Sequence, residues 1–483
     1  SLSQQDWRST LDLLPRLGLA ALAAGLLARP LVLLQLGETA RGLGLRIASV
    51  RAAALAVAVA LAGFTVSAVG VIGFLGLAAP GIGARSLAAR LIAAPMVGAY
   101  LLTVTDQSLQ MISDATGLFL PTGAVTAMLG APILFVLARQ IRAAQPADGS
   151  ASTLVHRRAP TPRLLLLGAV LAAVTLAAVT VGRDLDGRWI VEIGAALDPF
   201  LAWRLPRTIG ALAAGAMLAV AGVTLQRLTG NPMASPEVLG VSAGSALGLL
   251  LALFVLSAPG HLALTAAATL GSMAVLAILL LGVRGGNLGG NRTLLTGIAL
   301  AAFLMALLSA VTATGDPRAI LLMGWMAGST YRVDTAGAAV AAAVALCMLP
   351  ALPVLARQLD HLTLGAAHAR AVGIRLERTS LIVLCMAGLL TATATLIVGP
   401  LSFVGLMAPH IARRLGFARC LPQFAAAALL GAAMMVTADL LGRTVHFPWQ
   451  IPAGLLSALI GAPVLVVLLA GAGARNRTGG QSV

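Results

Sequence analysis

The chain has 483 residues, 59% of them hydrophobic and 10% charged, with a formal net charge of +16 and a mean hydropathy of +0.97. Apolar runs of the ~20 residues that a helix needs to cross roughly 30 Å of hydrocarbon recur along the whole length, which excludes a soluble globular domain, and a β-barrel would instead show short segments of alternating polarity. All 32 basic residues are arginine, so a Walker A lysine and a Schiff-base lysine are excluded within this chain, and because the arginines fall in the gaps between apolar runs they speak for membrane topology rather than nucleic acid.

The pattern predicts an all-α, polytopic helical membrane protein of about 15 transmembrane helices. In chain order the first spans are Leu11–Leu34, Ile47–Val69, Gly70–Ile92, Ala93–Met111 and Leu120–Ile141. Residues 143–162, rich in Ala, Ser, Pro and charge, read as a cytoplasmic linker. Ten spans follow: Leu164–Val181, Leu205–Leu228, Leu239–Ser257, Leu262–Val283, Leu294–Thr314, Thr335–Leu355, Thr379–Val398, Leu401–Leu415, Leu421–Leu441 and Ile451–Ala470. Most arginines lie on one side of this threading, including Arg157, Arg158, Arg413, Arg414, Arg419, Arg475 and Arg477. The positive-inside bias makes that side, and the C-terminus, cytoplasmic.

Self-similarity organises the chain. LGETARGLGLRIASVR from Leu36 to Arg51 returns as LGAAHARAVGIRLER from Leu364 to Arg378, and aligning Gly44 with Gly373 sets an offset of 329 residues. The same offset carries GFLGLAAP (Gly73–Pro80) onto SFVGLMAP (Ser402–Pro409). With two further inserted residues, LPTGAVTAMLGAP, ending at Pro132, matches IPAGLLSALIGAP, ending at Pro463. Residues 1–142 therefore read as the C-terminal half of a first copy, residues 163–475 as a complete second copy, and residues 476–483 as a cytoplasmic tail. The expectation is that the first copy lacks its N-terminal half. Both Arg-bearing segments face the cytoplasm in this threading, which suggests a two-fold partner there.

Ionisable groups inside a membrane are expensive, at least about 2.5–3.5 kcal/mol each on insertion scales, and so are functional candidates. Asp439 stands four residues before Arg443, the spacing of a helical ion pair. Asp106 occupies the matching region of the first copy, with Gln107 and Gln110 but no arginine. The chain of buried acids that a proton relay requires is missing, which argues against a proton-driven pump. On the arginine-poor side, Arg204, Arg207, Arg318, Arg332 and Arg443 read either as headgroup contacts or as a basic rim for an acidic partner. GGNLGGNRT (Gly285–Thr293) lacks the strand, spacing and lysine of a phosphate loop and reads as a turn. His410, replaced by Gly81 in the first copy, has no second ligand at metal spacing, and His368 reads as a contact residue. Cys347, Cys385 and Cys420 form neither a disulfide framework nor a metal site.

RLPRTIGALAAGAMLAVAGVTLQRLTGNPMASPEVLGVSAGSALG (Arg204–Gly248), the two LG–AR–G segments, SFVGLMAPHIAR, ADLLGR and IPAGLLSALIGAP together resemble the permeases of ATP-driven iron-siderophore and vitamin B12 importers. The fused two-copy arrangement and FPWQIPAG (Phe447–Gly454) resemble the ferric hydroxamate members most. The resemblance implies a ten-helix copy whose loop between its sixth and seventh helices docks into a cytoplasmic ATPase. Gly37, Ala40, Arg41 and Gly44 would dock in the first copy, and Gly365, Ala369, Arg370 and Gly373 in the second. It implies that Arg204, Arg207 and Arg443 receive a periplasmic siderophore-binding protein, and that a gate lies around Thr293–Thr330. It further implies a location in the bacterial inner membrane, no catalytic residue and no cofactor in this chain, with ATP and Mg on a dimeric ABC ATPase partner. The alternatives are a vitamin B12 or haem importer and, from another class, an ion-coupled secondary transporter.

Overall fold

The computed structural model describes residues 7–34, 39–42, 44, 46–69, 75–79, 87–117, 122–140, 160–184, 186–256, 260–283, 290–400, 403–461 and 463. It divides into two compact units, Ser1–Gln140 with Ala302–Asp316, and Ile141–Ala301 with Pro317–Val483. The first unit holds α1 (Trp7–Leu34), α2 (Thr39–Gly42), α3 (Ile47–Val69), α4 (Leu75–Ala78), α5 (Leu87–Thr116) and α6 (Thr122–Gln140). α1 packs on α3 and α5, and α6 packs on α4 and α5. Leu19, Leu22 and Leu26 of α1 and Leu55 and Val59 of α3 are exposed, as suits helices whose outer solvent is lipid.

The second unit begins with α7 (Thr161–Thr180), a hairpin of β1 (Val181–Arg183) and β2 (Trp189–Val191), and α8 (Asp198–Thr229). The hairpin is antiparallel, with Gly182 opposite Ile190. Next come α9 (Val241–Val255), α10 (His261–Val283), α11 (Gly290–Thr312, whose residues from Ala302 fall in the first unit) and α12 (Pro317–Met326). α13 (Thr335–Met348) leads through a 3-10 turn into α14 (Leu352–Thr363), and α15 (Ala366–Ala371) is a short connector to α16 (Leu376–Val398). α17 (Val404–Arg414) and α18 (Cys420–Thr444) complete the unit.

The all-α membrane architecture is as expected. Seven described helical stretches are long and apolar enough to span a bilayer: Leu13–Leu34, Ile47–Ser67, Thr161–Thr180, Gly194–Thr229, Thr335–Thr363, Leu376–Val398 and Cys420–Thr444. Shorter apolar helices occupy Val241–Val255, Ala266–Leu279 and Thr296–Thr312. The expected boundary between Gly70–Ile92 and Ala93–Met111 falls inside the single helix α5, with the short α4 ahead of it, and a second-copy span differs as well. In place of Leu401–Leu415 stands α17, which at 11 residues is only about 16 Å long and cannot cross the hydrocarbon alone. It ends in a Schellman motif in which Gly416 N–H donates to Arg413 O (3.0 Å) and Phe417 N–H to Ala412 O (3.2 Å).

α8 is the axis of the second unit. Its 32 residues make a rod about 48 Å long, buried almost continuously from Pro206 to Arg227 and flanked by α7, α13, α14, α16, α17 and α18. Small residues set those approaches. A Cβ on Gly222 would strike the Gly405 carbonyl of α17, and one on Gly215 the Gly431 carbonyl of α18. Lipid supplies no hydrophobic drive between helices, so close backbone packing of this kind must hold the bundle.

Candidate functional site

Charged residues cap both ends of the α8 rod. Near its N-terminal end, Arg207 donates from Nη2 to Asp439 Oδ1 at 3.1 Å and from Nη1 to Gln450 Oε1 at 3.0 Å. Asp439 also accepts from the Thr330 hydroxyl and pairs with Arg443 one helical turn on, Nε to Oδ2 at 3.5 Å. Arg443 reaches across to the Ala178 carbonyl of α7. Beside it Arg204 pairs with Glu192, just past β2, at 2.6 Å and donates to Val179 O at 3.1 Å. Gly182 leaves the room that the Arg204 guanidinium fills. A buried charge persists only when paired and hydrogen-bonded, and this network ties α7, the hairpin, α8, α18 and the turn at Thr330–Arg332 into one frame.

The opposite end carries a second network. Arg227 donates from Nε to Gln423 Oε1 (2.7 Å), from Nη1 to Asp360 Oδ1 (2.7 Å) and from Nη2 to Ala418 O (2.6 Å). Asp360 Oδ1 also accepts from Cys420 N–H at 2.9 Å. Next to Arg227, Gln226 accepts from Arg413 Nη2 at 3.0 Å. Between Arg207 and Arg227 the sequence of α8 holds no ionisable residue, and those 20 residues rise about 30 Å, the thickness of a hydrocarbon core.

Asp360 ends α14 only a few residues before the repeated segment. There α15 opens at Gly365 and closes in another Schellman motif, Gly373 N–H donating to Arg370 O (2.9 Å) and Ile374 N–H to Ala369 O (3.0 Å). Gly365 has φ +105° and Gly373 φ +82°, conformations that favour glycine. Among the described residues, nothing lies within 4 Å of where a Cβ on either would sit.

Among the second-copy candidates, Gly365, Arg370 and Gly373 are exposed, whereas Ala369 is fully buried. The Ala369 methyl faces the chain's own helices. In the first copy Gly44 is exposed with φ +79°. Gly37 lies outside the described residues, and so do the side chains of Ala40 and Arg41. The three arginines expected at the basic rim lie beneath the surface of this chain. Arg204, Arg207 and Arg443 are 2%, 6% and 7% exposed, because Glu192 and Asp439 draw them inward; among the described residues, Arg188, Arg318 and Arg332 are the exposed arginines at that end. In the first unit Asp106 accepts from Gln110 Nε2 at 2.9 Å and from Thr122 Oγ1 at 3.2 Å, with no arginine among these partners. Among the described residues no cluster of three potential metal ligands occurs.

Sequence reasoning missed members of both networks. Glu192, Asp360 and Gln423 lie outside any motif, and Thr330 carries no charge to draw attention. Arg227 sits inside the QRLTGNP stretch, where its position at the end of a long apolar run was the available signal.

The model of the FecCD transport family matches residues 1–140 and 163–471. The chain belongs to the FecCD transport family. Two curated relatives extend this FecCD match over nearly the whole sequence. The iron(3+)-hydroxamate import system permease protein FhuB of Salmonella typhimurium is 43% identical over 476 residues, covering 97% of this chain and 69% of that protein. FhuB of Escherichia coli is 42% identical over 476 residues, covering 97% and 72%. Among solved structures, a metal-chelate type ABC transporter in an inward-facing conformation aligns with a TM-score of 0.58 and 27% identity, over 65% of this chain and 99% of that one. This FecCD chain is thus a membrane transport permease and not an enzyme.

Proposed function

We propose that this chain is the permease of a binding-protein-dependent ABC importer that moves a ferric hydroxamate siderophore across the bacterial inner membrane. The observation that carries the reading is 43% and 42% identity to two FhuB permeases over 97% of the chain. ATP and Mg belong to a separate dimeric ABC ATPase that docks on the Leu36–Arg51 and Leu364–Arg378 segments from the cytoplasm. Exposed Gly44, Gly365, Arg370 and Gly373 support that assignment, since a short helix seats in a groove only where its tip has no side chain to stand it off. With the C-terminus cytoplasmic, the Arg207–Asp439 network faces the periplasm. A siderophore-binding protein arriving there meets exposed Arg188 and Arg332, while Arg204, Arg207 and Arg443 hold the frame behind them. ATP must favour one access state through its differential affinity for the two.

Reconstitution with ATPase subunits and binding protein tests the reading directly. ATPase activity stimulated by loaded binding protein, together with uptake of radio-iron-labelled ferric hydroxamate, is the expected result. Uptake that proceeds without any ATPase would overturn it in favour of a secondary transporter. For the dock, Gly373→Trp adds bulk at an empty site and is expected to abolish ATPase association while leaving membrane insertion intact. Undiminished association after that change would remove Gly373 from the interface.

A further inference from the structure

We infer that Arg227 and Asp360 form the clamp through which movement of the docking segment enters α8. This rests on the permease reading above and adds a part that it does not contain. The route is contiguous. His368 on α15 lies over His361 on α14, ring centroids 5.6 Å apart. Asp360 is the residue beside His361, and its carboxylate meets Arg227 Nη1 at 2.7 Å. All three nitrogens of that guanidinium are engaged, so one side chain binds α8 to α14, to the α17–α18 connection at Ala418 and to α18 at Gln423. Arg227 is buried and Asp360 is 40% exposed, placing the pair at the rim of the bundle.

The geometry favours transmission over simple stability. α15 also leads into α16, which itself packs on α8, so a push on it has a second path to the same rod through helix packing. The Asp360 path is the one that delivers that push to α8 through a directed, charge-assisted contact. The far end of α8 is fixed through Arg207 to Asp439 and hence to Thr330. A guanidinium with three acceptors in fixed directions resists rotation as well as separation, which an ammonium cannot do. Asp360 itself is held by Cys420 N–H, so α14 and the start of α18 move with it.

The test measures uptake and ATP hydrolysis together, in proteoliposomes holding the full chain, its ATPase and a ferric hydroxamate-loaded binding protein. Arg227→Lys keeps the charge but loses the fork. Uptake per ATP hydrolysed is expected to fall about 3- to 30-fold, with stimulated ATPase activity retained. The double exchange Arg227→Asp with Asp360→Arg is expected to recover part of that ratio, which a packing defect would not do. An unchanged ratio in Arg227→Lys would overturn the clamp. So would uptake and ATPase activity falling in parallel with thermal stability. If Arg227→Lys does not assemble, Asp360→Asn at the exposed end of the pair replaces it: a lowered ratio with ATPase activity retained supports the clamp, and an unchanged ratio overturns it. Wild-type protein lacking stimulated ATPase would instead overturn the permease reading, so the two failures are distinguishable.

Discussion

At the residue scale the two networks differ in how far they can be read in advance. Asp439 and Arg443 are visible as a pair because the i,i+4 spacing is local. Their partner Arg207 is 232 positions away, and only the packing of α8 on α18 brings it in. The same packing hides the guanidinia that their place on the arginine-poor side suggested would be displayed. Asp439→Asn would leave two buried guanidinia without a counter-charge, and a cost of about 3–5 kcal/mol is expected, read as a large drop in thermal midpoint in detergent. Glu237, in the turn between α8 and α9, makes a second prediction. Both its carboxyl oxygens are shielded from solvent, and among the described residues neither has a hydrogen-bond partner of full geometry. Burial raises its pKa from 4.5 to about 8, with its own backbone and Ser235 offsetting only part of the effect. Below about pH 8 the folded form therefore holds a proton that the unfolded chain releases near 4.5. Stability on this account falls as pH rises from 4.5 to about 8 and levels off above. Glu237→Gln should flatten that slope and raise the thermal midpoint relative to wild type at about pH 8; identical pH profiles would show that the carboxyl is hydrated.

At the element scale, helix existence is legible from apolar runs, while lengths and functions are less so. α17 reads as a span because SFVGLMAP continues an apolar pattern, but Gly416 stops it after three turns. The repeat locates α15 because glycine spacing survives where side chains diverge. Burial of Ala369 is not legible, since a six-residue helix has no periodicity from which to read its inner face. Close packing gives a differential test. Gly222→Ala must push α8 away from the Gly405 backbone and is expected to cost about 1–3 kcal/mol. Gly168→Ala in α7 meets nothing within 4 Å and should gain about 0.5–1 kcal/mol. Thermal midpoints moving in the same direction for both would mean that the α8–α17 approach is not set by that contact.

At the scale of the whole molecule, composition alone gives away the class, an all-α membrane protein. What stays illegible is which charges meet, because in a bundle of Ala- and Gly-rich helices many registers look alike in sequence. The distance between the two charged ends of α8 carries a further consequence. With Arg207 and Arg227 about 30 Å apart along a rod that cannot shorten, the permease is built to one hydrophobic thickness. Mismatch with a thinner or thicker bilayer must be absorbed by tilt or by drawing lipid headgroups toward the ends. Uptake in vesicles of graded acyl-chain length should therefore pass through an optimum, making membrane composition a silent regulator of transport.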